Sequence, residues 1–198
     1  MSKKSSTSPK RKSRRCPSKI LETITPADAL TILRRVAEQD VEMTKRFENA
    51  AMEMLRVVDM ESVASQVQME LESLDVEEVW DHSGSTSHGY VDPGDAAWQM
   101  FEDALAPFQE QVEKYNRLSM DQEAKFCCMG ILKGIYDFDK ESSTEYKDWT
   151  VDAPAEFFTM VLDDWRKGTK KRKDLAEMNE FMKRNCPDWA PSSRKKPR

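Results

Sequence analysis

Apolar side chains recur every three or four residues through most of this chain, and that spacing predicts amphipathic helices. No stretch alternates apolar and polar residues in the way that a half-buried strand does. Only six glycines occur among the 198 residues, which suits helices joined by tight turns. We therefore expect an all-α fold of seven or eight helices, arranged as a bundle or as a short array of helical hairpins.

Two predicted helix starts have similar sequences, TPAD beginning at Thr25 and DPGD beginning at Asp92. In each, an oxygen-bearing side chain can cap the helix and the proline that follows suits the first helical position. A third start is predicted at Asp152. Pro107 lies inside the long apolar pattern that follows Asp92, and it predicts a kink or a break near Leu105–Ala106.

The charges divide the chain into an acidic body and two basic tails. Residues 1–19 contain eight Lys and Arg and no acid, and residues 190–198 contain four and no acid. Of the 31 basic and 36 acidic residues in the chain, 19 and 36 then fall in residues 20–189, which carry a net charge of -17. Because the tails are also rich in Ser and Pro, we expect disordered tails at 1–19 and 190–198 and a helical domain over 20–189.

Several classes of protein are disfavoured by composition. The chain has no run of about 18 apolar residues, which a membrane helix needs, and no apolar segment follows its basic N-terminus as in a secretory signal. We therefore expect no membrane association. Its four cysteines form no C-x-x-C pair, so we expect reduced thiols, and no motif predicts a cofactor. The expected location is the cytoplasm, or the nucleus if the source is a eukaryote.

The segment between positions 74 and 98 holds both histidines, three of the six glycines and two of the five tryptophans. Gly84 and Gly89 predict positive φ angles in a tight connection between helices. That structural role is the simplest interpretation of the segment. Three aromatic side chains are expected to pack beneath the connection: Trp80, Tyr90 and Trp98.

The same loop could carry chemistry. Its histidines and carboxylates could hold a metal for an enzyme that uses residues 81–92, but a flexible SGSTS stretch separates His82 from His88 and no H-E-x-x-H motif is present. A serine, a histidine and Asp81 or Asp75 could form a hydrolytic triad, although G-x-S-x-G is absent. A phosphate site is disfavoured because residues 57–113 contain no Lys or Arg. We assign no catalytic residue and no metal ligand.

The alternative that we retain for the loop is an interaction surface, because an aromatic-backed loop beside acidic helices suits the binding of another protein. The predicted partner-binding residues are Trp80, Asp81, His82, His88, Tyr90 and Asp92.

A rival hypothesis assigns the basic segments to nucleic acid. The run RKGTKKRK from Arg166 to Lys173 is predicted to be an exposed loop between two helices. Clusters of Lys and Arg bind phosphates without reading the base sequence. The predicted nucleic-acid contacts are Lys10, Arg11, Lys12, Arg14, Arg15, Lys170, Lys171, Arg172 and Lys173.

Four segments together resemble a family of uncharacterised all-helical proteins of archaea and bacteria. They are SLDVEEVWDHSG, HGYVDPGDAAWQMFEDALAPF, CMGILKGIYDFD and YKDWTVDAP. The resemblance covers about residues 24–189 and neither tail. It implies one folded helical unit and no known activity. The family is also associated with SWIM-type zinc-binding modules, but this chain lacks their Cys and His pattern, so the resemblance implies no zinc.

These observations favour a non-enzymatic interaction or scaffold protein with an acidic helical body and basic tails, whose partner is another protein. A protein that binds nucleic acid non-specifically through its tails is the first alternative. A metal-dependent enzyme that uses the 81–92 loop is the second.

Overall fold

A computed structural model describes residues 22–86 and 89–190, and these residues confirm the all-α prediction with eight α-helices. A 3-10 helix (Glu145–Trp149) and an antiparallel pair of short strands, β1 (Gly84–Thr86) and β2 (Gly89–Val91), complete the described elements. No described helix is long and apolar enough to cross a membrane. The helices are α1 (Pro26–Gln39), α2 (Val41–Leu55), α3 (Met60–Glu72), α4 (Val76–His82), α5 (Pro93–Arg117), α6 (Asp121–Glu141), α7 (Ala153–Gly168) and α8 (Arg172–Asn185).

The chain divides into two compact units between Glu53 and Met54. In the first unit, α1 begins at the predicted cap: the Thr25 hydroxyl accepts a hydrogen bond from the Asp28 N–H at 3.2 Å. The Asp28 carboxylate in turn accepts one from the Thr25 N–H at 3.3 Å, which completes a capping box. No residue of α1 or α2 is buried, so both helices carry apolar faces that are partly exposed.

In the second unit, α6 is the central helix and eleven of its residues are buried. Helices α3, α5, α7 and α8 all contact it. The aromatic centre of the core joins α5, α6 and α7, because the Phe101 ring centroid lies 5.9 Å from that of Phe138 and 5.1 Å from that of Phe157. Such buried rings supply much of the apolar area that stabilises a core.

The three cysteines among the described residues are buried and unpaired. Burial raises the pKa of the Cys127 thiol and of the Cys186 thiol to about 12, because the thiolate would lose its hydration. These thiols therefore stay protonated and unreactive at neutral pH. Cys16 lies outside the described residues.

The helix that contains Pro107 is continuous. Helix α5 spans 25 residues, Pro93–Arg117, so of the predicted kink or break near Leu105–Ala106 the break is absent. Phe101 and Leu105, which precede the proline in the helix, are buried in the core. This packing outweighs the local cost of a proline inside a helix. In the loop, β1 and β2 pair antiparallel with Gly84 opposite Val91 and Ser85 opposite Tyr90, and we call this strand pair the hairpin.

Candidate functional site

A cavity of about 480 Å³ lies where the end of α4, strand β2 and the N-terminal half of α5 meet. It belongs entirely to the second unit. The side chains that matter for its chemistry are His82, Tyr90, Asp95, Gln99, Met100 and Asp103.

Local sequence signals place the elements around this cavity. Helix α4 begins at Asp75, whose carboxylate accepts a hydrogen bond from the Glu77 N–H at 3.0 Å. Helix α5 begins at Asp92, whose carboxylate accepts one from the Gly94 N–H at 2.8 Å. Both caps follow the preference for Asp at this position, and Asp92 therefore has a structural role.

The hairpin between α4 and α5 depends on its two glycines. Gly84 has a φ of 97° and Gly89 a φ of 128°, and these values fall in the region that other residues rarely adopt. The prediction of positive φ at both positions is confirmed. The hairpin in turn places Tyr90 of β2 at the cavity.

One face of α5 supplies the polar wall. Asp95, Gln99 and Asp103 follow one another at intervals of four residues, which stacks them along one side of a helix. The Gln99 Nε2 donates a hydrogen bond to the Asp103 carboxylate at 2.9 Å. Sequence reasoning missed these three residues, although their i, i+4, i+8 spacing on an amphipathic helix was a usable signal.

The geometry of His82 determines which ring nitrogen carries a proton. Its Nδ1 lies 2.7 Å from the backbone carbonyl oxygen of Glu78. Because a carbonyl oxygen can only accept, Nδ1 must donate this hydrogen bond. In the neutral ring, Nε2 is therefore the nitrogen that is left to accept a hydrogen bond.

The predicted loop residues separate into different roles. His82 and Tyr90 line the cavity, Asp92 caps α5, and Asp81 is exposed on α4. The predicted packing beneath the connection is wrong for Trp80 and Tyr90, which are 55% and 71% exposed.

The two tryptophans of this segment pack against other parts of the second unit. The Trp80 ring meets the edge of the Trp149 ring at a centroid distance of 5.2 Å, so its contact is with the 3-10 helix. Trp98 packs on Phe157 at 5.0 Å and belongs to the contact between α5 and α7. His88 lies outside the described residues, and within the described ranges no group of three His, Cys, Asp or Glu side chains could hold a metal ion.

The electrostatic character of this region follows directly from the sequence. Residues 57–113, which include α3, α4, the hairpin and most of α5, contain 14 acids and no Lys or Arg. Residues 114–189 contain 15 acids and 14 bases, so they are nearly balanced. The cavity therefore lies in the part of the body that carries most of its negative charge, and this field attracts cations.

The basic run at 166–173 is not one loop as predicted. Helix α7 extends to Gly168 and α8 begins at Arg172, so only residues 169–171 connect them. The Lys171 ammonium pairs with Asp121 at 2.7 Å and that of Lys173 with Glu177 at 3.6 Å. Part of the predicted phosphate-binding charge is thus already paired with acids. The predicted contacts in the tail, Lys10, Arg11, Lys12, Arg14 and Arg15, lie outside the described residues.

Comparison with known proteins assigns neither a family nor a function to this chain, and the resemblance to an uncharacterised helical family stays a prediction. No protein-family model, no curated protein and no solved structure matches the chain.

Proposed function

We propose that this chain is a non-enzymatic interaction protein that binds another protein through the surface around the α4–hairpin–α5 cavity. The observation that carries this proposal is the exposure of two large aromatic side chains, 55% for Trp80 and 71% for Tyr90, in a segment without any Lys or Arg. Aromatic anchors of this kind dominate the binding energy of protein interfaces.

The polar side chains of the loop support binding more than catalysis. The Ser83 hydroxyl donates to the Trp80 carbonyl oxygen at 3.1 Å, and the His82 Nδ1 donates to the Glu78 carbonyl oxygen at 2.7 Å. Asp92 is engaged as a helix cap. A nucleophile needs a base within hydrogen-bond reach, and these three groups instead bond to the backbone around them.

Truncation of the exposed aromatic residues is expected to weaken partner binding strongly. Trp80→Ala and Tyr90→Ala should each weaken the complex by about 30-fold, as loss of an interface hot spot of roughly 2 kcal/mol does. The measurement is quantitative mass spectrometry of proteins cross-linked to the tagged full chain in extracts of its source cells.

Met69→Ala is the matched control for this experiment, because Met69 is 64% exposed on α3 and does not line the cavity. The same partner should be captured by the wild type and by Met69→Ala and lost from both aromatic variants. Thermal melting checks that Trp80→Ala stays folded despite losing its contact with Trp149. An identical set of captured proteins for all variants would contradict the proposal.

The separation of charge along the sequence favours nucleic-acid binding as a second candidate function. Replacing Lys10, Arg11, Lys12, Arg14 and Arg15 with Gln should weaken binding of the full chain to a generic DNA duplex. For five phosphate contacts, the slope of log K against log salt should become shallower by roughly 0.9 per contact. The control variant has Gln in place of Lys170, Lys171, Arg172 and Lys173. It should change the slope less because Lys171 and Lys173 already have acidic partners. Absence of DNA and RNA binding by the wild type would exclude this function.

A further inference from the structure

We propose that the α4–hairpin–α5 cavity receives an arginine side chain from a basic segment of the partner protein. This inference rests on the proposed function, because it names the chemistry of the partner that would dock at the same surface.

The cavity is rich in hydrogen-bond acceptors. Asp95 and Asp103 contribute carboxylates from α5, and His82 lines the cavity with its Nδ1 bonded to the Glu78 carbonyl oxygen, so a neutral ring offers Nε2 as an acceptor. Gln99, the only amide donor among the described residues that line the cavity, directs one of its N–H groups to Asp103 at 2.9 Å. Asp95 forms no ion pair with any residue that the structure describes. A ligand that complements this surface must donate hydrogen bonds and carry positive charge.

The surrounding charge selects the same ligand. Residues 57–113 supply 14 acids and no Lys or Arg, so the carboxylates of the cavity have no neutralising lysine or arginine from their own segment. Anions are repelled by such a field. A partner segment that carries several Lys or Arg residues is attracted along the whole surface, and one of its side chains can enter the cavity.

The shape and the aromatic wall favour arginine over lysine. Tyr90 is 71% exposed and lines the cavity, so its ring is available to a cation. A guanidinium group is planar, presents five donors and stacks on aromatic rings, whereas an ammonium group is a compact and strongly hydrated charge. A volume of about 480 Å³ accommodates the guanidinium end of an arginine and leaves room for water.

The test is the binding of a short fluorescent peptide of alternating arginine and serine to the full chain, measured by fluorescence anisotropy. The double variant Asp95→Asn/Asp103→Asn should bind this peptide at least about 10-fold more weakly, as the loss of charge-assisted hydrogen bonds requires. Glu102→Gln/Glu110→Gln is the matched control, because it removes the same charge from α5 at positions that do not line the cavity. That control should change the affinity by less than about 3-fold. A peptide with lysine at every arginine position should bind more weakly to the wild type.

Three results would overturn the inference. Equal losses in both double variants would mean that the acidic surface acts only as a diffuse field. Equal affinity for the arginine and lysine peptides would remove the role of the guanidinium group. Tighter peptide binding after Arg11, Arg14 and Arg15 become Gln would identify the chain's own tail as the ligand in place of a partner.

The two proposals fail in distinguishable ways. If Trp80→Ala and Tyr90→Ala lose the captured partner but the wild type does not bind the arginine peptide, the partner chemistry inferred here is wrong and the proposed function stands. If the peptide binds as expected but no variant changes the captured proteins, the cavity is an arginine site and the proposed function fails.

Discussion

Replacing Gly134 with alanine is expected to lower the free energy of unfolding of the second unit by about 3 kcal/mol or more, at the upper end of what overpacking a core costs. A Cβ atom at this position would lie 2.6 Å from the Ala64 carbonyl oxygen and 2.7 Å from the Val67 Cβ. The first of these atoms belongs to the backbone of α3, so it cannot rotate away. Relief requires α3 to move off α6, which would open the core.

Gly130 faces the same helix one turn earlier. A Cβ there would lie 2.6 Å from the Val63 Cβ and 2.8 Å from the Met60 carbonyl oxygen. The two glycines together allow the backbones of α3 and α6 to touch, as small residues four apart do wherever helices approach closely. Gly130→Ala should therefore be destabilising to a similar degree.

Gly168→Ala is the control for the effect of the substitution itself. Its Cβ would lie 3.2 Å from the Asn116 Nδ2, which is the end of a side chain that can turn aside. Alanine is favoured over glycine in a helix by roughly 0.5–1 kcal/mol, so this variant should be as stable as the wild type or slightly more so. Urea unfolding followed by circular dichroism measures all three. A Gly134→Ala variant with the wild-type midpoint would mean that α3 does not pack on α6 as described.

The sequence was informative wherever the physical signal is local. Thr25 and Asp92 were predicted as helix caps because a capping side chain acts on backbone groups two or three residues away. Positive φ at Gly84 and Gly89 was predictable for the same reason. The all-α class followed from the spacing of apolar residues alone, since the apolar stripe of a helix depends only on residues within that helix.

Tertiary contacts explain what sequence reasoning missed. Gly130 and Gly134 stand out only when the helix that crosses them is known. Trp80 and Tyr90 were expected beneath the loop because large aromatic side chains are usually well buried, yet the Trp80 ring packs against Trp149, which is 69 positions away. The spacing of Asp95, Gln99 and Asp103 could be read from the sequence, but not that α4 and the hairpin enclose a cavity beside them.

Lys125 is another residue whose role depends on distant parts of the chain. Its side chain is 1% exposed, and its ammonium lies 2.8 Å from the carboxylate of Asp174, which is 4% exposed. It also pairs with Glu177, at the solvent edge of the same cluster. Burial lowers the pKa of the Lys125 ammonium, but the hydrogen bonds and charges of the two carboxylates outweigh this effect and raise the pKa above 10.5. The lysine is therefore charged inside the contact between α6 and α8.

Lys125→Met is expected to destabilise the second unit by about 3–5 kcal/mol, because it leaves the buried Asp174 carboxylate without a cation. Since the folded-state pKa of Lys125 is raised, its stabilising effect is fully present below pH 10.5 and is lost as the pH rises through the higher folded value. The difference between Lys125→Met and the wild type should thus be constant from neutral pH to roughly pH 9. Urea unfolding at several pH values measures it.

The decisive comparison is the double variant Lys125→Met/Asp174→Leu, which replaces the ion pair with apolar side chains of similar size. Such replacements of buried pairs are often neutral, so this variant should recover most of the stability that Lys125→Met loses. Recovery should be incomplete by roughly 0.3–1 kcal/mol, because Asp174 lies in the first turn of α8 and interacts favourably with the helix dipole. Additive losses in the double variant would instead mean that each residue acts through packing alone. The contact between α6 and α8 would then not depend on the ion pair.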